Sequence, residues 1–329
     1  MSAALSFDRR LAMLRTALGP VIANALADPG VIEIMVNPDG VLRLDTLGIG
    51  RSDTGIRIGT EQVERIIRLV ASHSRTEIHD GAPIVSTELP PYGEGAGERF
   101  EGLLPPVVCG PCFTIRKPAA RIHRLIDYVR DGIMSADAAR LLSLAVVERR
   151  NILIAGGTSS GKTTLANALL AEMAHLDERL ILIEDTRELQ SPATDTVALR
   201  TRSGVVDMSD LVRSTLRLRP DRIIVGEIRG AEALDMLKAW NTGHPGGIST
   251  VHANSAASAL TRIEQLVQEA VVTIPRRLIA EAIDLIVFVS GRGMQRRVSS
   301  LVRVAGVDPD GGYGLVELLN SGTSEGEIS

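Results

Sequence analysis

The chain has 329 residues, 44% of them hydrophobic and 23% charged, with a formal net charge of −4. That length leads to an expectation of about two domains, and the ordinary globular balance excludes an extended disordered chain. Aromatics are only 2%, so the core must be built from Leu, Ile, Val and Ala; that scarcity argues against single strands stacking on aromatic platforms, and the net charge gives no global basic footprint for nucleic acid, leaving only a local patch open.

Residues 5–27 read as an amphipathic helix and Val31–Val36 as a strand, followed by an Asn37-Pro38-Asp39-Gly40 hairpin turn and a strand over Val41–Leu44. Thr60–Ser72 has helical spacing, with Val63, Ile66, Ile67 and Val70 on one face and Thr60 as N-cap. Short strands follow, broken by Pro90-Pro91, Gly93–Gly97 and Pro105-Pro106, so residues 1–117 form an expected small α+β domain. A linker is expected over 118–134. From Ser135 helices alternate with wholly apolar strands at Ile152–Ala155, Leu180–Ile183, Ile223–Val225 and Leu285–Val289. Apolar runs without alternation indicate a parallel sheet covered on both faces, which gives an α/β domain over 135–319. The polar tail at 320–329 is expected to be disordered.

No run of eighteen apolar residues occurs, so no membrane-spanning helix is expected. Met1–Arg10 lacks the charged-then-apolar order of a signal peptide, and two cysteines are too few for a secreted disulfide framework. A cytoplasmic protein, reaching a membrane only through partners, is the expectation.

The chemistry is concentrated after residue 150. Gly156-x-x-x-x-Gly161-Lys162-Thr163 fits the phosphate-loop pattern, between the strand Ile152–Ala155 and a helix from Thr164 to Ala171. Gly156, Gly157, Thr158, Ser159, Ser160, Gly161, Lys162, Thr163 and Thr164 are the expected nucleotide-binding residues. Glycines let backbone N–H groups turn toward phosphate oxygens at a helix N-terminus, Lys162 reaches the β- and γ-phosphates, and the Thr163 hydroxyl ligates Mg²⁺. ATP and Mg²⁺ are the expected cofactors.

Two apolar strands then deliver acids at their C-terminal ends, where open α/β sheets bind ligands. Leu180–Ile183 ends in Glu184-Asp185, with Glu188 beyond, and Ile223–Val225 ends in Gly226-Glu227. Glu227 is the first choice as catalytic acid and joins Thr163 as an expected metal-site residue. Asn241–Asn254 holds His244 and His252 around a Gly-Gly pair; spacing and missing cysteines do not fit zinc, and a γ-phosphate sensor or coupling role fits better. Cys109-Gly-Pro-Cys112 has the letters of a redox motif, but no helix opens at Cys112, so it reads as a tight hairpin turn.

The order of these boxes resembles the secretion ATPases of type II and type IV secretion and the pilus motors. Phe113–Pro118 and Glu98–Val108 further resemble the conjugal-transfer (TrbB) branch, and the resemblance covers roughly residues 10–310. It implies a RecA-like P-loop NTPase domain preceded by a smaller α+β domain, a homo-hexameric ring, and nucleotide held between the two domains. It matches Lys162 and Thr163 to the Walker A residues, Glu184, Asp185 and Glu188 to the Asp box, Glu227 to Walker B, and His244 and His252 to the His box. Arg99 and Arg116 fall where the family places nucleotide-contacting or finger arginines. The implied partners are inner-membrane components of a conjugation or type IV secretion apparatus, with peripheral inner-membrane association and no direct sequence-specific nucleic acid binding. A RecA-like nucleic-acid motor, and a nucleotide-binding regulatory subunit without turnover, are the alternatives.

Overall fold

A computed structural model of the chain describes residues 2–90, 97–118, 121–202 and 204–320. The chain divides into two compact units, residues 1–120 and 121–329.

The first unit runs α1 (Ser2–Ala27), β1 (Val31–Val36), β2 (Val41–Thr46), β3 (Gly50–Arg57), α2 (Thr60–Ser74), β4 (Ile84–Glu88), β5 (Arg99–Leu103) and β6 (Cys112–Arg116). The strands form one antiparallel sheet in the order β3-β2-β1-β6-β5-β4. Period-2 alternation puts Ile34, Val36, Phe100, Phe113 and Ile115 on one face, where they share a core with Leu18 and Ile22 of α1 and Ile66, Ile67 and Val70 of α2. The expected single helix over 5–27 is broken at Gly19-Pro20, because Gly19 adopts φ 69°, ψ 172°. Thr60 is the first helical residue of α2 rather than its cap; Gly59 holds the N-cap position and offers no side chain. The Cys109–Cys112 segment is less tight than expected. Residues 104–111 connect β5 to β6, Cys112 opens β6 opposite Leu103, and both thiols are free. Most of the Pro90–Gly97 break lies outside the described residues, as do residues 321–329 of the tail.

The second unit runs α3 (Leu125–Arg130), α4 (Ala136–Val147), β7 (Ile152–Gly156), α5 (Lys162–Glu172), β8 (Leu180–Glu184), β9 (Thr196–Arg200), α6 (Met208–Thr215), β10 (Arg222–Val225), α7 (Glu232–Asn241), β11 (Ile248–His252), α8 (Ala256–Val267), α9 (Arg276–Ala282), β12 (Leu285–Ser290), β13 (Arg297–Val307) and β14 (Tyr313–Asn320). Its sheet has the order β14-β13-β12-β7-β11-β10-β8-β9, parallel from β12 to β9, with β13 and β14 added antiparallel at one edge. Both faces are covered, as continuous apolar strands require. Leu153, Ile181, Ile223 and Val251 face α6–α9, whereas Ile152, Ile154, Leu182 and Ile224 face α3–α5. This is the RecA-like arrangement. The stretch 118–134 contains α3, whose Leu125 and Tyr128 are buried in that second core, so its end is part of the packed unit rather than free chain.

At the sheet edge where β7, β10 and β11 begin, Asn151 Oδ1 accepts from the N–H groups of Gly246 and Gly247 at 2.8 and 2.9 Å, and Trp240 Nε1 donates to Ile223 O at 3.0 Å. A methyl group added to Gly247 would come 2.0 Å from Trp240 Nε1. Overpacking of this kind costs about 1–3 kcal/mol. Gly247→Ala is therefore expected to lower the denaturant midpoint of the full chain with an unchanged slope. An unchanged midpoint would show that the indole has room to move.

Candidate functional site

Parallel strands bring their C-terminal ends to one edge, and that edge collects most of the expected residues. Gly156 ends β7 and lies in register between His252 of β11 and Val289 of β12. The chain then turns through residues 157–161 and enters α5 at Lys162, two residues earlier than expected. Gly161 makes the turn with φ 94°, a conformation that side chains disfavour. No acid lies in the first turn of α5, so its positive end is uncompensated from within the helix.

Lys162 is 7% exposed, and its Nζ donates to Gly156 O at 3.2 Å and Gly157 O at 3.1 Å. It also lies 3.4 Å from His252 Nδ1, and His252 Nε2 lies 2.8 Å from Glu227 Oε1. Glu227 in turn accepts from Arg229 through both Nε and Nη2. Burial pushes the Lys162 ammonium below its ordinary pKa, although the Glu227 carboxylate pulls it up. Burial and the Lys162 charge together hold His252 below the ordinary histidine value, against the pull of Glu227. A neutral His252 fits the contacts: Nε2–H donates to Glu227 while Nδ1 accepts from Lys162.

The remaining acids divide by role. Glu184 is 5% exposed and turned inward, its Oε1 accepting from the N–H groups of Glu188 and Leu189 at 2.9 and 2.8 Å. It shapes the turn that presents Glu188. Glu188 Oε2 accepts from Thr163 Oγ1 at 3.3 Å. Asn167 of α5 clamps the same turn, donating to Glu188 O at 3.0 Å and accepting from Gln190 N at 2.9 Å. Asp185 is exposed, accepts from Thr201 Oγ1 at 2.8 Å, and lies 4.0 Å from Arg229 Nη1.

His244 does not join this group. It precedes β11, whose far end carries His252, and the four steps from Ile248 to His252, at roughly 3.3 Å each, put about 13 Å of strand between them. Its Nδ1 lies 3.2 Å from Pro220 O, at the opposite edge of the sheet. The Gly-Gly pair between the histidines likewise serves Asn151 and Trp240, not a phosphate. In the first unit, Arg99 and Arg116 stand directly opposite each other on β5 and β6, on the face away from the helices, flanked in register by Glu88 and Glu33. Sequence reasoning missed Arg229 and Asn167. Arg229 lies only two residues past Glu227, but a charge after a strand gives no sign of which acid it will meet.

The residues present fit a nucleotide. The Ser160 hydroxyl is buried without a hydrogen-bond partner, Lys162 rests on loop carbonyls, and the loop ends at an uncompensated helix N-terminus. Among the described residues, no group of three His, Cys, Asp or Glu is placed to hold a metal by itself. Mg²⁺ is bound through few protein oxygens together with waters and phosphates, and Thr163, Glu188 and Glu227 are its candidate supports.

The electrostatic reading is testable. The imidazole signal of His252 should titrate below the ordinary value of about 6.5, rise in Lys162→Ala and fall further in Glu227→Gln. Because the unfolded chain takes up this proton first, the linked stability is present above about pH 6.5 and declines as pH falls toward the folded pKa. A midpoint unmoved by either substitution would separate His252 from both groups.

A family described as "Type II/IV secretion system protein" matches residues 94–300. The chain is 48% identical over 303 residues to conjugal transfer protein TrbB of Rhizobium radiobacter, covering 92% of each chain. It is 36% identical over 313 residues to type IV secretion system protein PtlH of Bordetella pertussis, covering 83% of this chain and 90% of that one. Among solved structures, the pilus retraction motor PilT with bound ADP matches with a TM-score of 0.62 at 20% identity, covering 92% of this chain and 83% of PilT. The Legionella pneumophila ATPase DotB matches with a TM-score of 0.56 at 18% identity, covering 90% and 78%. These two share the fold. By the family match and its relatives at this identity and coverage, the chain belongs to the type II/IV secretion system protein family.

Proposed function

We propose that this chain is a Mg²⁺-dependent ATPase that works as a homo-hexameric ring and powers conjugal transfer or a related type IV secretion step. The observation that carries this reading is the contact of Lys162, His252 and Glu227 at the end of a phosphate loop. The transport role rests on the conjugal transfer and type IV secretion relatives. No helix among the described residues is long and apolar enough to cross a membrane. Association with the cytoplasmic face of the inner membrane would therefore run through partner proteins of the apparatus.

The geometry supports a division of labour. Bound Mg²⁺ would neutralise charge on the transferring phosphoryl group. Lys162 leaves the carbonyls of Gly156 and Gly157 for phosphate oxygens, a better partner for an ammonium. Thr163 and Glu188, whose side chains meet at 3.3 Å, would support that metal. Glu227, released from Arg229, orients an attacking water and accepts its proton at a carboxylate oxygen. His252 touches both Lys162 and Glu227, so loss of charge at one is felt at the other. Asp185 holds Arg229, and Glu184 fixes the turn of Glu188. For His244 the proposal is coupling rather than phosphate sensing, since it lies at the opposite sheet edge. Arg99 and Arg116 keep their proposed role as nucleotide-contacting or finger arginines on the resemblance alone.

Steady-state turnover of ATP by the full chain, beside the mass of its assembly with and without ATP, tests the proposal. Lys162→Ala and Glu227→Gln should each lower kcat by about 100-fold or more. Glu227→Gln should still bind ATP. Turnover that survives Lys162→Ala, or an active monomer, would contradict the enzyme and ring readings respectively.

A further inference from the structure

A second cation lies against the phosphate loop, on the flank away from Glu227. β7 is bordered by β11, which carries His252, and on its other side by β12. After β12 the chain makes a 3₁₀ turn, Gly293–Gln295, and reaches Arg296 just before β13. A methyl group added to Gly161 would come 2.6 Å from Arg296 Nε and 2.7 Å from its Cζ, so the guanidinium lies directly against the last loop residue before α5.

This placement is unfavourable as it stands. Arg296 Nε is buried without a hydrogen-bond partner, and so is the Tyr128 hydroxyl that α3 brings to the same place. Burial pushes the Tyr128 phenol up while the Arg296 charge pulls it down, which marks the two as electrostatic neighbours. The backbone holds the pair there: Val298 N, at the start of β13, donates to Ile133 O, just after α3, at 2.7 Å. A buried donor left unpaired costs stability, and a cation beside a helix N-terminus and near Lys162 is repelled. An anion at the loop would remove both costs.

We propose that Arg296 is a nucleotide-binding residue whose guanidinium fork holds the α-phosphate, on the flank of the loop opposite the hydrolytic group. The proposal rests on the nucleotide reading above and adds a direction to it. Lys162 and Glu227 mark the γ-phosphate end on the β11 flank, so a polyphosphate crossing the loop toward β12 brings its first phosphate to Arg296. A planar guanidinium suits two oxygens of one phosphate, and Lys would not replace it fully. The α-phosphate is common to ATP and ADP, so Arg296 contributes to binding both and adds little to the chemical step.

Calorimetric titration of the full chain with ADP and with a non-hydrolysable ATP analogue, alongside steady-state turnover, tests this. Arg296→Ala should weaken both ligands by a similar factor of roughly ten to a hundred, raise KM accordingly, and leave kcat within a few-fold. Arg296→Lys should fall between the two. Arg296 in the unsubstituted protein should also react more slowly with an arginine-modifying dicarbonyl when ADP is present, a readout that needs no variant to fold. Unchanged ADP affinity in Arg296→Ala, or no protection by ADP, would overturn the proposal. So would a lost kcat with ADP affinity intact. Lys162→Ala separates the two failures: if it loses nucleotide while Arg296→Ala does not, only the Arg296 role falls; if neither binds less well, the nucleotide site itself is wrong.

Discussion

The site depends on one constraint, the parallel pairing of β7 with its neighbours. Gly156 is in register with His252 of β11, and β11 is bordered by β10, which delivers Glu227. Residues nearly a hundred positions apart are thereby brought within hydrogen-bond range, with Lys162 Nζ 3.4 Å from His252 Nδ1. The register itself is enforced by burial. Each of these strands has residues in both cores, so a one-residue slip would exchange every side chain between the two helical layers.

In this structure each group of the site is held by a protein partner. Lys162 is held by loop carbonyls, Glu227 by Arg229 and His252, and Thr163 by Glu188. Such contacts keep buried charge compensated while leaving partners that phosphate and metal can replace. Arg296 and Ser160 are the exceptions, each with a buried polar atom left unmet at the loop.

The phosphate loop, the two acidic strand ends and the parallel sheet were legible in the sequence because each is a local pattern: a glycine spacing, or an apolar run ending in a carboxylate. What was not legible was set by direction along a strand or by distant partners. His244 and His252 look like one box in the sequence, yet β11 runs between them and carries them to opposite edges. Glu184 and Glu188 belong to one acidic segment, but one turns inward to hold backbone N–H groups and the other meets Thr163. Thr60 looked like a cap because its side chain suits one; the backbone instead leaves the extended conformation at Gly59. Arg296 sits in a short turn with no motif around it, and only the fold brings it against Gly161.

The central claim is that the β7, β10 and β11 ends form one nucleotide site from which the other sheet edge is excluded. It is tested most directly by following the imidazole signals of His252 and His244 in the full chain while a Mg²⁺-bound, non-hydrolysable ATP analogue is added. His252 is expected to shift and saturate near one equivalent per chain, while His244, before the start of β11 and at the other end of that strand from His252, responds far less. A response at His244 with His252 unmoved would contradict it.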